Sequence, residues 1–296
     1  MTSASPSNFS DQLVSTDWLA AHLGNPGLAI VDIRGYVTAT EIGGGHQHAE
    51  YTAARDEYVA GHVPGATFVD WTVDITDPDN AIKSQIADPA RFKAAMEAIG
   101  VGDDTDAVIV DHSGGHFATR LWWALRFYGH DRVAVLDGGF NAWAKEGKPL
   151  TTNVPLPAAV VFTPSARTDL RVEVDQVLGA IADKSALIVD ARDSGQYAGS
   201  VWRGARAGHI PGAVSIPAKS LFNADGSWKP VEELEAILTA GGVDADQPVV
   251  AYCNGGVTAT AVLFAMARTG RVHFANYDGS WNEWGERDDL PVETTR

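Results

Sequence analysis

Residues 107–143, AVIVDHSGGHFATRLWWALRFYGHDRVAVLDGGFNAW, can be laid over residues 248–284, PVVAYCNGGVTATAVLFAMARTGRVHFANYDGSWNEW, without a gap. A constant offset of 141 relates Gly114 to Gly255, Asp137 to Asp278 and Trp143 to Trp284. Upstream, YVAGHVPGA (58–66) is echoed by ARAGHIPGA (205–213), and LAIVDIR (28–34) by ALIVDAR (186–192). The pieces come in the same order in both halves. Their spacing far exceeds the roughly 20–50 residues of stacked solenoid repeats, so the chain reads as one domain duplicated.

Between the copies, TTNVPLPAAVVFTPSAR (151–167) carries three prolines and breaks helical periodicity, which marks it as a linker. The expected division is an N-terminal domain over 1–150, a linker over 151–167 and a C-terminal domain over 168–296. Each half alternates short β-branched strands (28–33; 186–191) with amphipathic helices (89–99; 231–239), then a second apolar strand, a Gly-rich turn, a long helix ending at Gly129 or Gly270, a third strand and a short Trp-bearing helix. Apolar strands alternating with helices imply α/β domains, each a parallel sheet with helices on both faces.

The chain has 296 residues, 45% hydrophobic and 20% charged, with a formal net charge of -16. That acidity argues against nucleic acid and anionic membrane surfaces, both of which require basic patches. The N-terminal MTSASPSNFSDQLVSTDW lacks a basic start followed by an apolar run, and no apolar run approaches the length of a membrane span. With a single cysteine and no zinc-ligand spacing, a cytoplasmic location and no bound metal are the expectations.

That cysteine, Cys253, stands between an apolar strand and a helix starting near Thr258, on the turn CNGGVT. In parallel α/β sheets, ligands bind beyond the carboxyl ends of the strands. Glycines there let successive amides turn inward, and inward amides at a helix N-terminus cradle anions and favour thiolate over thiol. A nucleophile is the inference, although a small buried hydrophobe or an incidental cysteine beside a phosphate-binding turn shares this layout. In the first copy the equivalent position is His112, so only one copy carries a thiol.

Taken together, GHVPGA and GHIPGA, a cysteine loop followed by GVTA, and YDGSWNEWG near the C-terminus resemble the tandem-domain rhodanese family of sulfurtransferases, over nearly the whole chain from Leu13 to about Val292. The resemblance implies an inert N-terminal copy, an active C-terminal copy and a site between the two. It further implies that Cys253 attacks the outer sulfur of a small anionic donor, with the resulting persulfide held by the amides of Asn254, Gly255, Gly256, Val257 and Thr258. Cyanide or a thiol, a thioredoxin-like protein among the candidates, then removes that sulfur in ping-pong fashion without a cofactor.

The loop departs from both familiar subclasses. Thiosulfate-using members commonly show Cys-Arg-Lys-Gly-Val and mercaptopyruvate-using members Cys-Gly-Ser-Gly-Val, whereas this chain has Cys-Asn-Gly-Gly-Val. Lacking cations, it sits nearer the second group, but without that group's serine. By resemblance Arg192 holds the donor's anionic group, its planar fork suiting a carboxylate; a salt bridge to Asp190 or Asp193 is the alternative. A second arginine of the mercaptopyruvate enzymes is missing from SGQYAG, with Arg203 and Arg206 as substitutes of unknown placement.

The remaining candidates read as structural. His62 and His209 recur in both copies, so a shared hydrogen bond explains them better than catalysis; His46 and His48 lie in a Gly-rich stretch and read as solvated. The longer segment 36–57 is expanded and positioned to shape the site entrance. Trp122, Trp123, Trp143, Trp281 and Trp284 read as core, and the paired Asp137 and Asp278 as turn residues. Two rival functions are a noncatalytic persulfide carrier or regulatory module and a cysteine phosphatase of the cell-cycle type. The latter needs an arginine six residues after the cysteine, where Ala259 stands.

Overall fold

In the computed structural model, which describes residues 9, 11–112 and 115–295, two five-stranded parallel sheets repeat one topology. The N-terminal sheet runs, in spatial order, Leu13–Val14, Val133–Leu136, Asp106–Val110, Leu28–Asp32 and Ala66–Phe68. Its C-terminal counterpart runs Arg171–Val172, Phe274–Tyr277, Val249–Tyr252, Leu187–Asp190 and Val214–Ser215. The central three strands are those the sequence pattern predicts. Edge strands of two or three residues are too short to leave a periodic trace.

Alternation along the strands explains why both faces are covered. Val108 and Val110 point into a cluster with Leu19, Tyr58 and Trp143, while Ile109 points oppositely, toward Trp122 and Trp123. In the second domain Ile188, Val250 and Tyr252 pack with Trp281 and Trp284 on one face, and Val189, Val249 and Ala251 join the other cluster. That cluster is continuous between domains, because helices His116–Phe127 and Ala259–Arg268 pack against each other. Trp122 meets Phe264 edge to face at 5.0 Å between ring centroids. All five tryptophans expected in the core are buried.

The linker has no regular structure beyond Thr151, yet it is anchored along the N-terminal domain. Phe162 is buried against Phe92, Thr163 donates to Asp103, and Val160 closes over Gly102. Residues 36–57 prove to contain most of an antiparallel hairpin, Gly35–Gly43 with His46–Ala53, whose tip crosses to the C-terminal domain. There Gln47 N donates to Trp202 O at 2.8 Å and Trp202 N to Gly45 O at 3.0 Å. His46, expected to be solvated, instead stacks on Trp202. Among the described residues no helix is long and apolar enough to cross a membrane.

Polar groups clasp the domains as well. Arg120 is buried and pairs with Asp278, donating also to Ser84 O at 2.8 Å. Asp278 accepts from Ile86 N, and Asp137 accepts from Trp228 N, each at 2.8 Å. The repeated aspartates therefore reach into the opposite domain rather than closing their own turns alone.

Candidate active site

Strand Val249–Tyr252 ends at the domain interface, and the chain leaves it as the loop 253–258 before entering helix Ala259–Arg268. Gly256 takes a left-handed φ of +69°, which a residue with a side chain adopts only with strain; a Cβ there would also lie 2.7 Å from Asp278 Oδ1. The Gly256 carbonyl is drawn away from the loop by two donors, Arg120 Nη1 at 3.1 Å and Asn276 Nδ2 at 3.0 Å. Cys253 N donates to Ser280 Oγ at 3.1 Å, and the Cys253 and Asn254 carbonyls accept from Trp281 N and Asn282 N. The loop is thus fixed from behind. Among the described residues no protein acceptor occupies the amides of Asn254, Gly255, Gly256, Val257 and Thr258.

In the other copy a side chain takes amides at the corresponding helix start. Asp111, which occupies the position of Tyr252, is buried, and its Oδ2 accepts from Phe117 N and Ala118 N at 3.1 Å each. These amides correspond to those of Thr258 and Ala259. Burial pushes the Asp111 carboxyl up to about 7, against the lowering pull of the Ala118 and Phe117 amides. In the C-terminal copy the Tyr252 hydroxyl turns instead to Asp190 Oδ2 at 2.6 Å, leaving the cradle clear. One copy is plugged by its own side chain and the other stands open.

Cys253, 2% exposed, lies at the bottom of a cavity of about 400 Å³ formed by both domains. The N-terminal domain contributes Tyr36, Tyr51, His112, His116 and Phe117, and the C-terminal domain Arg192, Gln196, Arg203, Lys219 and the cysteine loop. His112, at the thiol-equivalent position, is turned to Glu57 Oε2 at 2.9 Å beneath the Tyr36 ring. His116 Nδ1 is shut off from solvent and has no partner among the described residues. Desolvation pulls its pKa down to about 4, so the imidazole is neutral at physiological pH.

Arg192 lines the cavity and also forms the salt bridge to Asp190. Its guanidinium is locked inward: Nε and Nη2 bond to Asp190, Nη2 also donates to Gly208 O at 2.7 Å, and the group lies 4.3 Å from the Trp281 ring centroid. The N-terminal domain repeats the arrangement without a thiol, Arg34 on Asp32, Gly61 O and the Phe140 ring. The pairing thus recurs in a copy without a thiol, as the alternative of a salt bridge to Asp190 implies. Arg206 is spent on the carbonyls of Trp284, Gly285 and Leu290.

Arg203 does face the cavity. It has no carboxylate partner among the described residues, and its buried Nε has no acceptor. Lys219 also lines the cavity but is paired with Asp193. Gln196 stands in the segment expected to supply a second arginine, and its Oε1 accepts from Asn254 Nδ2 at 3.2 Å. Gln196, Lys219, His116 and Tyr51 left no signal in the sequence; only the assembled interface brings them to the thiol. His62 and His209, read as structural, donate from Nδ1 to the carbonyls of Tyr58 and Tyr197, each stacked on the same tyrosine's ring.

The rhodanese-like domain model matches twice, over residues 15–146 and 173–287. The chain is 35% identical over 287 residues to a 3-mercaptopyruvate sulfurtransferase of Escherichia coli K12, covering 96% of this chain and 98% of that protein. It is 36% identical over 292 residues to a thiosulfate sulfurtransferase of Rattus norvegicus, covering 95% and 94%. Among solved structures, the E. coli 3-mercaptopyruvate enzyme SseA superposes with a TM-score of 0.78 at 31% identity, covering 92% of this chain and 99% of that one. The structure of EanB with ergothioneine, at 22% identity and a TM-score of 0.81 over 96% of this chain and 70% of that one, shares the fold alone.

Proposed function

The chain belongs to the rhodanese family and is a sulfurtransferase, and from that premise we propose that it carries sulfur on Cys253, taking it from 3-mercaptopyruvate in preference to thiosulfate. The Cys253 thiolate attacks the donor's outer sulfur. With mercaptopyruvate the carbon–sulfur bond breaks and pyruvate departs as an enolate that takes a proton at carbon; with thiosulfate the sulfur–sulfur bond breaks and sulfite departs with the electron pair. Either way Cys253 is left as a persulfide. Its terminal sulfur sits against the amides of residues 254–258, where the helix N-terminus also stabilises negative charge.

Charge in the cavity favours the monoanionic donor. Arg192 is balanced by Asp190 and Lys219 by Asp193, which leaves Arg203 as the cavity arginine without a carboxylate partner among the described residues. One free guanidinium suits one carboxylate; a dianion would call for a second cation. In the return half-reaction the carbon of cyanide, or a thiolate sulfur, attacks the terminal sulfur and regenerates the Cys253 thiolate.

The observation that carries this reading is the row of amides beside the thiol that has no protein acceptor among the described residues, where in the other copy Asp111 takes the Phe117 and Ala118 amides. Mass spectrometry of enzyme incubated with donor and no acceptor tests it. One added sulfur on the peptide containing Cys253 is expected, and an unmodified Cys253 would refute the proposed carrier.

A further inference from the structure

The cavity above Cys253 is not the only recess under the hairpin. A second, of about 530 Å³, is bounded by Tyr51, Arg203, Lys83, His46, His48 and Glu286. It shares Tyr51 and Arg203 with the first cavity, so the two adjoin at that pair of side chains. Tyr51 is held there from both sides: its ring meets Trp71 at 5.7 Å between centroids, and its hydroxyl faces Arg203 and Asn282. Lys83, His48 and Glu286 are exposed, so the space is a groove open to solvent, and the hairpin tip beside it is hydrogen-bonded to Trp202.

Its electrostatics run against those of the protein as a whole. In a chain of net charge -16, Arg203 and Lys83 face this groove with no carboxylate partner among the described residues. His46 and His48 add ring nitrogens, and the acidic wall, Glu286, is engaged with Ala205 N at 3.0 Å. A groove lined by two cations without carboxylate partners suits an anion.

Resting on the sulfurtransferase reading above, we propose that this groove is the acceptor subsite and takes a small thiol bearing a carboxylate, whose sulfur reaches the Cys253 persulfide past Tyr51 and Arg203. In ping-pong chemistry the donor's remnant leaves before the acceptor binds, so Arg203 serves each anion in turn. The acceptor's thiolate sulfur bonds to the terminal sulfur, the bond to Cys253 Sγ breaks, and its electron pair restores the Cys253 thiolate. The acceptor departs as its own persulfide, with no external oxidant or reductant consumed.

The test uses full-length enzyme turning over 3-mercaptopyruvate with three acceptors: 3-mercaptopropionate, cysteamine and cyanide. The readouts are the ratio of kcat/KM for the anionic thiol to that for the cationic thiol, and the ratio of thiol to cyanide rates. Lys83→Glu is expected to lower the first ratio about threefold to tenfold, the scale of reversing one exposed charge. Ala49→Trp, which fills the groove from the hairpin, is expected to lower the second. Wild-type ratios in both variants would overturn the acceptor subsite while leaving Cys253 chemistry intact. A wild-type enzyme that takes up no sulfur on Cys253 would overturn both readings.

Discussion

Arg120, from the domain without a thiol, donates to the carbonyl of Gly256 at 3.1 Å and so reaches into the cysteine loop of the other domain. The same guanidinium neutralises buried Asp278. Removing it leaves a buried carboxylate unpaired, so Arg120→Met is expected to destabilise the protein by about 3–5 kcal/mol in urea unfolding. Arg120→Met combined with Asp278→Leu recovers much of that stability. Turnover in the double variant stays depressed, because Gly256 has lost the donor that orients its peptide.

Gly256 and Gly212 separate backbone strain from crowding. Both have positive φ, but a Cβ at Gly212 meets nothing within 4 Å, whereas at Gly256 it meets Asp278 Oδ1 at 2.7 Å. Gly212→Ala is expected to cost about 1–2 kcal/mol, the left-handed penalty alone. Gly256→Ala costs more and also lowers kcat, measured alongside the unfolding midpoint, since the cradle amides follow the loop.

Arg192, Arg34 and Arg203 divide by role. Arg192→Met and Arg34→Met are each expected to cost about 3–5 kcal/mol of stability, since each strands a buried aspartate, although only one lies beside the thiol. Arg203→Gln leaves the unfolding midpoint nearly in place and raises KM for 3-mercaptopyruvate about 10- to 100-fold, the worth of one charge-assisted hydrogen bond. A normal KM in Arg203→Gln would remove it from donor binding.

Asp111 links the plugged cradle to pH. Its folded pKa, raised from 3.8 to about 7 by burial, means that the unfolded chain gives up this proton first. Stability contributed by the group is complete below the unfolded value and is lost as pH rises through the folded one. The stability of Asp111→Asn relative to wild type is therefore expected to increase between about pH 4 and about pH 7 in urea titrations. A pH-independent difference would contradict the assignment.

Duplication was legible because it repeats chemistry-bearing pieces in order, and it carried the α/β layout and Cys253 with it. Arg192 reads two ways because Asp190 sits two residues away, and the identical Asp32–Arg34 pair is visible in LAIVDIR. Arg203 could be named as a candidate but not placed, since its orientation depends on a loop stitched to a hairpin from the other domain. Asp137 and Asp278 look like turn residues locally and act across the interface, a relationship no one-dimensional pattern encodes.

The central claim is tested most directly by thiocyanate formation from cyanide with 3-mercaptopyruvate and, separately, with thiosulfate, comparing wild type with Cys253→Ser. The expected result is turnover by wild type with the larger kcat/KM for 3-mercaptopyruvate and none by the variant. Turnover that survives in Cys253→Ser, or is absent from wild type with both donors, would contradict it.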